Sequence, residues 1–200
     1  MNVTSIRVPR LLVAFAAPAL LAAVPLASAE THGAAQRFTA IAVNVSNIGR
    51  AGAGTVEIVV NRWSTESECD RLLTTLREKG PEKLLSTLQD TKPIGYIRTP
   101  NSLGYDLHFA RSTPGEDGGE RIVLATDRRI SFWELTNHPR SFDYPFTVIE
   151  LHIGTDGRGE GRMSVATKIT ADHQHKTIVL EDYAVQPVML HDITRGPNRQ

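Results

Sequence analysis

From Tyr144 to Ile193 the chain reads as four β-strands in succession, and whatever lies upstream has to cover the face they leave bare. The spacing predicts strands over Phe146–Ile153, Arg162–Ile169, Thr177–Glu181 and Val188–Ile193. Met163, Val165 and Ile169 alternate with Ser164, Ala166 and Lys168, the period of a strand with one covered face. Gly-rich or polar turns separate the first three strands, and Tyr183–Pro187 leads to the last. Short links favour antiparallel neighbours, so this half is expected to be a meander.

The upstream half supplies further strands and a helical cover. Phe38–Val45 places Ile41, Val43 and Val45 on one face, and Thr55–Trp63 does the same with Val56, Ile58 and Val60. A two-helix insertion follows. Thr65 and Glu68 have the spacing of a capping box, and Cys69, Leu72, Leu73 and Leu76 form one apolar stripe. Gly80 suits a helix end and Pro81 a helix start, so Leu84, Leu85 and Leu88 belong to a second short helix. Both helices are expected to lie on the sheet as a lid or over an open edge. Pro93–Thr99, Leu103–Arg111, Arg121–Thr126 and Arg129–Glu134 read as the remaining strands. In Leu103–Arg111, Tyr105, Leu107 and Phe109 share the covered side, opposite Asp106, His108 and Ala110. The expected fold is mainly β (α+β): an antiparallel β-sandwich or partly open barrel of about ten short strands, with a two-helix insertion after the second strand.

The N-terminus reads as an address. Arg7 and Arg10 precede an apolar run, Leu11–Leu26, and Ala27-Ser28-Ala29 is a small-residue cleavage site. Residues 1–29 are therefore expected to be a secretory signal peptide, which makes the protein secreted or periplasmic. Residues 30–37 follow as a disordered lead-in, 38–194 as a single β-rich domain and 195–200 as a disordered tail. No later apolar stretch has spanning length, so no integral membrane segment is expected after cleavage. Cleavage removes Arg7 and Arg10, leaving two more acidic than basic residues, a balance that argues against nucleic acid as a partner. Cys69 is the chain's single cysteine, which excludes an internal disulfide. Asn44-Val45-Ser46 is a formal glycosylation sequon.

Three phrases carry a likeness: Gly54-Thr55-Val56-Glu57-Ile58-Val59-Val60-Asn61-Arg62-Trp63-Ser64, Gly95-Tyr96-Ile97-Arg98-Thr99-Pro100-Asn101-Ser102-Leu103-Gly104 and Met163-Ser164-Val165-Ala166-Thr167-Lys168-Ile169. In them the chain resembles uncharacterised exported bacterial proteins, a family of unknown function. The resemblance implies a bacterial, exported, free-standing domain and carries over no activity and no site residue.

Chemistry-bearing residues are few. Asp106 and His108 share one strand face, and Glu150 and His152 share another. Brought side by side, those four would suit a metal or acid–base work; left apart, they make a solvated sheet face. His173 and His175 sit at a hairpin tip, and Asp156 and Glu160 in a Gly-rich turn whose spacing is not that of an EF-hand. Phe132 and Trp133 point to opposite faces of one strand, so one of the two has to leave the core, and Trp133 joins the ligand-binding candidates. No motif calls for a cofactor or a resident metal. The functional expectation is an exported, non-catalytic module that binds a small apolar or amphipathic ligand or a partner protein. The alternative is a small metal-assisted or acid–base enzyme built on Asp106, His108, Glu150 and His152.

Overall fold

A sheet with one apolar face must hide that face, and in the computed structural model of the protein it does so by curling on itself. The structure describes residues 34–45, 51–100, 102–115, 117–128, 143–172, 177–182 and 186–197, all within the unit His32–Gln200. The expected signal segment, the strand at Arg129–Glu134 with Trp133, and the His173–His175 tip lie outside the described residues.

The elements run in the order β1 (Gln36–Asn44), β2 (Gly52–Val60), α1 (Glu66–Gln89), β3 (Gly95–Arg98), β4 (Tyr105–Leu107), β5 (Phe109–Pro114), β6 (Glu120–Thr126), β7 (Phe146–Ile153), β8 (Arg158–Asp172), β9 (Thr177–Asp182) and β10 (Val188–Arg195). The strands form one antiparallel sheet in the order β4-β3-β2-β1-β10-β8-β7-β6-β5. Its two edges, β4 and β5, are halves of one segment. Tyr105–Leu107 pairs with β3, while Phe109–Pro114 pairs with β6. The sheet is thus a nearly closed barrel, with the seam at His108, whose backbone N–H donates to the Ala125 carbonyl at 3.0 Å. Thr167 pairs with Phe146 of β7 and with Asp182 of β9, so β9 lies on the side of β8 away from β7.

The interior is filled by side chains. Phe38, Ile58, Ile97, Leu107, Leu124 and Leu151 are fully buried there, and burying each such side chain contributes about 1.5–3 kcal/mol. Outward-facing acids are pinned by cross-strand arginines: Glu57 takes Arg98 at 2.6 Å and also pairs with Arg37. Arg37 lies on β1, which begins at Gln36, inside the stretch expected as a lead-in. Asn44 is 2 % exposed, which closes off the acceptor amide of the sequon.

In place of two separate helices there is one helical element with a break. Thr65 accepts from the Glu68 N–H at 3.2 Å, and the Glu68 carboxylate accepts from the Thr65 N–H at 2.9 Å, closing the expected capping box. Arg62 grips the same carboxylate through both of its oxygens at 2.9 and 3.0 Å and, with lesser backbone help from Thr65, holds its pKa below the ordinary value against the effect of burial. At Gly80 the backbone leaves the helix (φ 79°, ψ −178°), and Pro81 restarts it. Cys69, Leu72 and Leu76 before the break and Leu84 and Leu88 after it are all buried. The two apolar stripes therefore converge on one target, the outer face of the sheet.

Candidate functional site

That outer face is not a solvated one. On β7 the interior takes Ile149, Leu151 and Ile153, yet Phe146 and Val148 on the opposite face are buried as well, under α1. Helix and sheet do not close completely. Between them runs a groove of about 460 Å³, floored by outward residues of β5 to β9 and walled by the apolar side of α1. At its far side β9 offers Ile178 and Leu180, the latter 50 % exposed.

Two irregularities of the sheet furnish this groove. Strict alternation would put Phe109 inside with Leu107, as the sequence predicts. Instead His108 is an extra residue at the seam, so Leu107 and Ala110 face the interior and Phe109 faces the helix. The same happens on β8. The pairing with β7 slips between Phe146↔Thr167 and Val148↔Ser164, which places one extra residue on β8. Met163 and Val165 consequently pack inside, while Ile169, expected beside them, packs outside. Each bulge moves one large apolar side chain from the core to the groove, and both Phe109 and Ile169 line it.

The groove is graded along its length. Outward residues on β5 run Phe109, Arg111, Thr113, and on β6 run Ala125, Val123, Arg121, paired in that order. Its three polar residues, Arg111, Thr113 and Arg121, therefore sit together at one end. Arg111 donates to Glu66 at 3.1 and 3.2 Å in an exposed pair. Arg121 donates to Glu150 at 2.5 Å, and Arg162 approaches the other oxygen of Glu150 at 2.6 Å. Burial alone would raise the pKa of Glu150, but the hydrogen bonds and charges of the two arginines outweigh it and hold the carboxyl below its ordinary value. On the opposite wall Cys69 is buried, and that burial raises its thiol pKa against the pull of Arg111.

No family model, curated protein or solved structure matches this chain. The site therefore rests on its own geometry.

The four polar candidates do not converge. Asp106 and His108 lie at the β4–β5 seam, Glu150 and His152 on β7, and β6 stands between the two segments. Asp106 is exposed, as a solvated face requires, but His108 is only 6 % exposed and corrects the expectation that it shares that face. As the extra residue of the seam it is buried between Thr91 and Asp127. Its Nδ1 lies 2.7 Å from the Thr91 carbonyl, and its Nε2 lies 3.5 Å from Asp127 Oδ1. Glu150 is buried among its arginines, with the exposed His152 at 3.3 Å. Among the described residues, no group of three or more His, Cys, Asp or Glu could hold a metal ion. Asp156 Oδ1 accepts from the Arg158 N–H at 3.0 Å, as an ordinary turn residue does.

Arg111 and Arg121 are the functional candidates that alternation alone does not reveal. The legible signal is a strand pair whose outward residues change from apolar to cationic along the strand, opposite an amphipathic helix.

Proposed function

We propose that the protein is an exported, non-catalytic module that binds a small apolar or amphipathic ligand in the groove between α1 and the outer face of β5–β9. The observation that carries this reading is the groove itself: about 460 Å³, open to solvent and apolar except for Arg111, Thr113 and Arg121 at one end. Ligand sites are typically concave, mostly apolar and furnished with a few placed polar groups, with volumes of roughly 300–1,000 Å³. The barrel interior is filled by side chains, whereas the groove leaves room for a ligand of apolar character. The basic, apolar and small-residue pattern at the N-terminus supports export.

Native mass spectrometry of protein recovered without detergent tests the reading, with displacement of an environment-sensitive alkyl fluorophore as a second readout. Val123, on the groove floor, is the residue to change. Val123→Phe is expected to abolish fluorophore binding while the thermal transition remains cooperative. Fluorophore binding that survives this substitution undiminished would remove the groove from consideration.

A further inference from the structure

We infer that the groove's ligand is an anionic single-chain amphipath, a long-chain carboxylate, whose tail lies along the apolar floor and whose headgroup meets Arg111. This deepens the binding reading above and rests on it.

The polarity of the groove sets the direction of the ligand. At one end Phe109 faces Ala125 across the β5–β6 pair, with Val148 and Ile169 beside them; at the other Thr113 faces Arg121. A tail entering at the arginine end loses water along its whole length, and its head is left beside cations. A ligand without an anionic head would gain no charge-assisted hydrogen bond at that end.

Charge is uneven at that end. The groove lining contains two arginines and no acidic residue. The nearby Glu150 is shared by Arg121 and Arg162, so that cluster holds two cations against one anion. Arg111 has Glu66 as its ion-pair partner, whose side chain is 77 % exposed. An exposed pair of this kind is worth little and yields readily to a competing carboxylate. Arg111 lines the same groove as the buried Cys69, and its positive charge counters part of the rise that burial gives the thiol pKa. A planar guanidinium with five donors matches a carboxylate through two parallel hydrogen bonds.

The experiment is calorimetric titration of the full chain with three ligands of identical tail: dodecanoate, dodecanol and dodecylamine, each below its aggregation limit. Dodecanoate is expected to bind about tenfold or more tighter than dodecanol, the scale of a charge-assisted hydrogen bond, with dodecylamine weakest. Arg111→Gln should erase most of that preference and leave dodecanol affinity within about twofold of the parent, since the tail contacts persist. Glu66→Gln reads the same relation from the other side and alters only an exposed residue; it should tighten dodecanoate several-fold. Equal affinity for dodecanoate and dodecanol in the parent protein would overturn the headgroup assignment while leaving the groove as a ligand site. Absence of binding by all three would overturn both.

Discussion

The imidazole Nδ1 of His108 donates to the Thr91 carbonyl oxygen at 2.7 Å, and this bond ties the exit of α1 to the seam of the barrel. Thr91 lies one residue beyond the Asp90 C-cap, and His108 is the residue at which the edge strand changes partners from β3 to β6. His108 thus helps to fix the helix that walls the groove to the strand that floors it, alongside the Arg111–Glu66 pair. His108→Ala should cost about 1–3 kcal/mol, because it leaves a buried carbonyl without its partner. Asp106→Ala, on an exposed neighbour of the same strand, should change stability by no more than about 0.5 kcal/mol. Urea denaturation of the two variants in parallel is the measurement. Equal, small effects would show that the seam does not depend on the histidine.

Glu150 gives the fold an acid-sensitive point. Its folded pKa lies below the ordinary carboxylate value, since Arg121 and Arg162 outweigh its burial. A depressed folded pKa means that the unfolded chain takes up the proton first on acidification. The stabilisation is therefore complete above the unfolded value, about 4.3, and is lost as pH falls through the lower folded one. Glu150→Gln should be less stable than the parent at neutral pH, and the gap should narrow as the pH is lowered through that window. A gap that stays constant down to pH 3 would show that the two arginines do not hold the carboxylate.

Much of this fold was legible because alternation is a local property. The periods of Val56-Ile58-Val60 and of Tyr105-Leu107 name interior residues correctly, and the capping box at Thr65 marks the helix start. What alternation cannot announce is an added residue. The bulges at His108 and on β8 are spacing errors relative to a partner strand, and a partner strand is a tertiary fact. Phe109 and Ile169 accordingly changed sides, and His108 went from the solvent face to a buried hydrogen bond. The candidate site shared this fate. Asp106 and His108 lie on one side of β6 and Glu150 and His152 on the other, an order that no single strand's alternation contains. The groove needed the strand order, the bulges and the helix placement together.

The break in α1 is a backbone requirement. Gly80 holds φ 79° and ψ −178°, a region that side-chain-bearing residues avoid. There is open space where a Cβ would go, so any penalty in Gly80→Ala comes from the backbone alone. The expected loss is about 1–3 kcal/mol, measurable by thermal denaturation. Alkyl fluorophore affinity should fall as well, since the Leu84–Leu88 half of the wall takes its direction from this residue. An unchanged melting temperature would mean that the helix runs through the position without cost.

Cys69 reports on the groove from within. The side chain is buried in the wall, where desolvation raises its thiol pKa and Arg111 partly opposes the rise. A thiol reagent acts on the thiolate, so native labelling should be slow at neutral pH and should accelerate with a midpoint above that of an ordinary cysteine. Arg111→Gln removes the opposing charge and should shift that midpoint further upward. Following the whole pH profile separates this effect from access, because a more open groove raises the plateau rate without moving the midpoint. Cys69→Ala should cost roughly 1 kcal/mol, the scale of a small core truncation. If the native thiol labels rapidly at pH 7, with a midpoint at or below that of a free cysteine, then the wall of the groove is open to water and α1 does not close over the sheet.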